Sequence, residues 1–115
     1  FPDATSMQTG QQACKAWVNF NGVGTVAIRA SYGVSSISDN GTGDYTVNFT
    51  TAMTDVNYCV TTSTRYSLAS NNVVVIQNIG NYTPVVGSVR LSSASAVGTN
   101  TAQIDVESFN VAVFR

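Results

Sequence analysis

Cys14-Lys15-Ala16-Trp17-Val18-Asn19-Phe20, followed after Asn21-Gly22-Val23-Gly24 by Thr25-Val26-Ala27-Ile28-Arg29-Ala30-Ser31-Tyr32, alternates small or apolar with polar side chains. Successive side chains of an extended strand point to opposite faces, so this period of two is a strand signature. It places Cys14, Ala16, Val18 and Phe20 inward on one strand, and Val26, Ile28, Ala30 and Tyr32 inward on the next. The Asn-Gly-Val-Gly connection between them is the composition of a tight hairpin. Helical spacing is nearly absent from the chain.

The same rhythm continues outward. Val34 to Ile37 is a short extended stretch, and Asp39-Asn40-Gly41-Thr42-Gly43-Asp44 reads as a turn. Residues 44–50 place Tyr45, Val47 and Phe49 inward, and 56–63 place Val56, Tyr58 and Val60 inward. Val73-Val74-Val75-Ile76 is a continuous apolar run, the pattern of a strand buried on both faces. Strand 87–92 puts Val89 and Leu91 in and Ser88, Arg90 and Ser92 out. The last stretch, 101–114, changes phase: Ile104 and Val106 are even, Phe109, Val111 and Val113 odd. One residue must be absorbed near Glu107-Ser108, by a bulge or a corner between sheets. About eight short strands separated by turns predict an all-β fold, an antiparallel, jelly-roll-like β-sandwich. One domain spans 13–115; residues 1–12 are polar, contain Pro2, and read as a linker or the end of a preceding element.

The 115-residue chain is 10% charged, against about 25% in typical soluble domains. Its polarity comes from Ser, Thr and Asn, which suit strand faces and turns. Lys15, Arg29, Arg65, Arg90 and Arg115 are too dispersed in sequence for a basic patch, which argues against a nucleic-acid partner and a polybasic membrane mode. No apolar run approaches the roughly 18 residues of a spanning helix, so no membrane insertion is expected. No signal peptide is evident, and the opening Phe1-Pro2 reads as that of a fragment or processed product. Cys14 and Cys59 fall on opposite phases of their strands and are expected as free thiols.

The chain has no His. That removes Ser–His–Asp and Cys–His triads and the usual zinc ligand, and no cofactor or metal is expected. Two carboxylate pairs merit weighing, because a glycosidase needs only two such groups. Asp39 and Asp44 flank one turn, where Asp commonly caps backbone N–H groups. Asp105 and Glu107 lie two apart on what reads as a solvated strand face. The expectation is that the chain is not an enzyme. The Asp39–Asp44 segment lacks the alternate acidic positions and terminal Glu of a calcium loop.

Two kinds of candidate position remain. Loops 64–72 and 80–84 each carry a Tyr among small polar residues, the composition of adaptable recognition loops or of plain turns with a core Tyr. They offer Arg65, Tyr66, Asn71, Asn81 and Tyr82 as receptor-binding residues. Trp17 shares the polar face of its strand with Lys15 and Asn19. It is either shielded by a loop or covered by another subunit, since Trp is enriched in interface cores. With Val73 and Val75 it makes the candidate subunit interface.

Lys15-Ala16-Trp17-Val18-Asn19-Phe20-Asn21-Gly22, then Gly24-Thr25-Val26-Ala27-Ile28-Arg29, then Asp39 to Phe49, resembles a module of phage tail fibres and related virion proteins, over roughly residues 13–60. Phe1-Pro2-Asp3-Ala4-Thr5 resembles segments that close fibre shafts. The resemblance implies a homotrimeric, extracellular β-sandwich tip of the virion that attaches to the host surface through a glycan or an outer-membrane protein. The alternative is a trimerisation, capping or capsid-decoration module with no receptor of its own. The resemblance carries over no catalytic residues.

Overall fold

The computed structural model describes residues 13–67, 72–77, 83–97 and 100–115. Their alternating pattern folds into nine strands: β1 Cys14–Asn21, β2 Ala27–Tyr32, β3 Val34–Gly41, β4 Asp44–Phe49, β5 Cys59–Arg65, β6 Asn72–Ile76, β7 Ser88–Val97, β8 Asn100–Gln103 and β9 Ser108–Phe114. No helix occurs among the described residues. One sheet, A, has the order β2-β1-β9-β5; the other, B, has β3-β4-β7-β6, with β8 also pairing β7. All the pairings are antiparallel. The result is an all-β, two-sheet architecture compatible with a β-sandwich.

The four inner strands supply most of the core. Ala16, Val18 and Phe20 of β1 and Phe109, Val111 and Val113 of β9 come from sheet A; Tyr45, Val47 and Phe49 of β4 and Val89 and Leu91 of β7 come from sheet B. Phe20 stacks on Phe109 at 5.2 Å, and Tyr45 meets both rings edge-on at 5.2 and 5.9 Å. Aromatic pairs in such geometry contribute roughly 0.5–1.5 kcal/mol beyond their buried area. Met53 and Tyr58 close one end, where Phe49 lies edge-on to Tyr58 at 5.8 Å.

The terminal phase change is a corner. β8 belongs to sheet B and β9 to sheet A, so residues 104–107 carry the chain across, and the expected single stretch 101–114 is two strands. Val106 is fully buried at this corner and its carbonyl accepts from the Gly22 N–H at 2.9 Å.

Four inward assignments are corrected. Val26 does pack against the core, but Ala30 pairs with Asn19 and Tyr32 with Trp17, on the outer face. An irregularity opposite Asn19/Phe20 absorbs Arg29 and shifts the alternation by one residue. Ile28 pairs with Phe20 yet remains exposed, because β2 is an edge strand with little packed over it. Val56 is exposed because it precedes β5, in a bend where the Asp55 carboxylate accepts the Asn57 N–H at 2.9 Å.

Strand β6 is buried on one face only. Val73 and Val75 turn toward the core, whereas Val74 and Ile76 lie exposed on the outer side of sheet B. Both cysteines are free, but not because they face opposite ways. Each stands opposite Phe114, on either side of β9. Two strand spacings put them roughly 9–10 Å apart, beyond the ~7 Å a disulfide tolerates.

Candidate functional site

Because β1 and β9 lie in the middle of sheet A, their outward side chains form a continuous surface with those of β2 and β5. Register sorts this surface into two rows. Tyr32, Trp17, Ala112 and Thr61 make one; Ala30, Asn19, Asn110 and Ser63 make the other.

The second row is a hydrogen-bonded ladder with one polarity. Arg29 Nη1 donates to Asn19 Oδ1 at 3.2 Å, Asn19 Nδ2 donates to Asn110 Oδ1, and Asn110 Nδ2 donates to Ser63 Oγ at 3.1 Å. Arg29 also donates to Ser108 Oγ at 3.1 Å and to the Glu107 carbonyl. Chained bonds of this kind polarise one another, which fixes the amide orientations. An amide has two N–H donors and two carbonyl lone pairs. The ladder uses one donor on each Asn, leaving the second N–H of both, and the Ser63 hydroxyl proton, available on the surface.

The first row is apolar at one end and small in the middle. Trp17 is 40% and Tyr32 60% exposed. Between Trp17 and Thr61 the small Ala112 leaves a groove of about 370 Å³, bounded also by Asn19, Asn110 and Ser63. Around the sheet's edge Tyr32 also lines a second cleft of about 600 Å³, with Lys15, Thr50, Thr51, Thr54 and Arg115.

The loop candidates are placed differently. Arg65 is exposed and lies 3.7 Å from the Glu107 carboxylate. Tyr66 is half-buried against the core, which matches a core Tyr better than a free recognition side chain. Asn71, Asn81 and Tyr82 lie outside the described residues. Of the interface candidates, Trp17 is on the outer face, whereas Val73 and Val75 pack inward.

The described carboxylates are all engaged. Asp39 Oδ1 accepts the Gly41 N–H, and Asp44 binds Arg90 in a bidentate pair at 2.9 and 2.6 Å. Asp55 binds Arg115 in the same way, at 2.7 Å twice. Asp105 accepts from the Gly43 N–H at 2.8 Å and the Tyr45 hydroxyl at 2.6 Å; Glu107 accepts from Ser67 at 2.9 Å. The hydrogen-bonded Arg90 guanidinium holds Asp44 below its ordinary pKa, and Arg115 brings Asp55 down to about 2. Burial, reinforced by Asp105, pushes the Tyr45 phenol well above its usual range. No group of three or more metal-ligating side chains occurs among the described residues.

Comparison of the chain with protein-family models, curated proteins and solved structures found no match.

Proposed function

We propose that the chain is a non-catalytic adhesion domain: the jelly-roll-like, homotrimeric tip of a phage tail fibre, carried extracellularly on the virion. It attaches to the host cell surface through a glycan or an outer-membrane protein. The observation that carries the reading is the outer face of sheet A, where Trp17 and Tyr32 stand exposed beside a row of oriented amides. Exposed aromatics next to fixed polar groups are recognition chemistry, whereas the engaged carboxylates are structural. The resemblance of residues 13–60 to tail-fibre modules supports the same reading. Three copies around one axis would turn weak sites into avid attachment, by about 10²–10⁴ over a single site.

A second reading, a trimerisation or capping module without a receptor, draws on Val74 and Ile76, exposed together on the outer side of edge strand β6. The experiment is a pull-down of labelled chain on a panel of bacterial strains, with its mass measured by light scattering. Saturable binding to particular strains by a trimer is expected. A trimer that binds none of them favours the capping role.

A further inference from the structure

We infer that the groove over Ala112, between Trp17 and the Thr61–Ser63 segment of β5, binds a ring of a neutral glycan. The inference rests on the adhesion reading and moves the contact from the loops to a sheet face.

Three features define the ligand. The first is shape. Ala112 is the low point of its row, flanked by Trp17 on β1 and Thr61 on β5, and the groove's 370 Å³ lies at the lower end of the range for small-molecule sites, ~300–1,000 Å³. It holds about one or two sugar rings and not an extended chain. The second is chemistry. A pyranose has an apolar C–H face and a rim of hydroxyls, each a donor and an acceptor. Trp17 supplies a flat apolar wall for the first; the unspent N–H groups of Asn19 and Asn110, and the Ser63 and Thr61 hydroxyls, suit the second.

The third is charge. No charged residue lines the groove; Arg29 is committed to Asn19, Ser108 and the Glu107 carbonyl, and Arg65, two residues beyond Ser63 on β5, lies 3.7 Å from the Glu107 carboxylate. An anionic ligand would find no counter-charge there. A second copy of the chain is a poorer occupant: it would bury the amide ladder's remaining donors, and each one left unpaired there opposes the association.

Trp17 is the only tryptophan in the chain, so intrinsic fluorescence reports on this site alone. The probes are trisaccharides of glucose, mannose and N-acetylglucosamine, with a sialylated trisaccharide as the anionic arm, each to about 10 mM, which covers the weak affinities of single sites. A saturable change in Trp17 emission with at least one neutral sugar is expected. Ala112→Leu, which fills the groove, and Asn110→Ala should each weaken it by about tenfold or more while the thermal midpoint of Ala112→Leu stays near wild type. No response to any neutral sugar, tighter binding of the sialylated one, or undiminished affinity in Ala112→Leu overturns the inference. So does a Trp17 emission that shifts to the red as the protein dissociates on dilution, which assigns the face to a second copy. Cell binding by wild type and by Ala112→Leu, with no sugar response, sinks the groove and spares the adhesion role; loss of cell binding by wild type removes that role itself.

Discussion

The Tyr45 hydroxyl reaches Asp105 Oδ1 at 2.6 Å, across 60 residues of sequence, and also lies 2.9 Å from the Gly22 carbonyl. A phenol has one proton and here meets two acceptors. Asp105 in turn accepts the Gly43 N–H at 2.8 Å, so one side-chain pair ties the β1–β2 connection, the β3–β4 turn and the β8–β9 corner together. Tyr45 is fully buried, and its ring also packs on Phe20 and Phe109.

Tyr45→Phe keeps the ring and removes the proton. It should destabilise the domain by about 1–3 kcal/mol, the cost of leaving partly buried acceptors unsatisfied. Asp105→Ala should cost at least as much, because the Gly43 N–H also loses its partner. Urea denaturation measures both, and a Tyr45→Phe midpoint equal to wild type contradicts the role given to this pair.

Gly43 has φ +66, and a Cβ there would lie 2.4 Å from the Ser93 carbonyl oxygen and 2.6 Å from that of Ile104. Both are backbone atoms and cannot step aside. Gly24 has nearly the same φ, +67, with nothing within 4 Å. Gly24→Ala should therefore cost only about 1–2 kcal/mol for the left-handed conformation. Gly43→Ala should cost clearly more or prevent folding. Equal thermal midpoints for the two variants would show that the turn does not pack as described.

The ion pair Asp44–Arg90 sets an acid limit. The folded-state pKa of Asp44 is depressed below its ordinary 3.8. Its contribution is thus complete above that value and is lost as pH falls through the folded pKa. Stability measured from pH 5 downward should decline below about pH 4, and Asp44→Asn should flatten the decline. Arg115 holds Asp55 at about 2, but the Asp55 side chain is 39% exposed against 11% for Asp44, so solvent screens that pair more and Asp55→Asn should change the curve much less. The reverse ranking of the two variants would refute this assignment.

The two thiols should react with a dye at different rates. Cys59 is exposed and Cys14 half-buried, with its Sγ donating to the Ala16 carbonyl at 3.1 Å. A thiol-reactive dye should label Cys59 fast, Cys14 slowly, and both in full without reductant. Labelling of neither under denaturing, non-reducing conditions would reveal a disulfide that the register forbids.

If the proposed homotrimer forms through the apolar strip on β6, Val74→Asp with Ile76→Asp should lower the mass in light scattering from trimer to monomer with the secondary structure retained. An unchanged mass places the contact elsewhere on the chain.

Much of the fold is written locally. The alternation in β1, β4 and β7 identified Ala16, Val18, Phe20, Tyr45, Val47, Phe49, Val89 and Leu91 as core. The phase change after Val106 called for a bulge or a corner there, and the structure has the corner. These readings hold because an inner strand with one dry face has only one phase that buries its apolar set. Edge strands lack that constraint. In β2 a single absorbed residue turned Ala30 and Tyr32 outward, and nothing in the alternation reported it. The same holds for Val74 and Ile76, where an apolar run was compatible with burial on both faces.

The candidate site was legible only in part. Trp17 stood out on a polar face, but Asn19, Asn110 and Ser63 look like ordinary outward strand residues in a chain rich in Asn and Ser. Asn19 and Asn110 are 91 positions apart and meet because β1 pairs with β9. On the inner strands, sequence by itself determined which side chains leave water, since that follows from the period of two and the transfer of apolar surface. Which outward side chains become neighbours, and therefore where a groove can form, was decided by strand order and register, which depend on packing between segments remote in the chain.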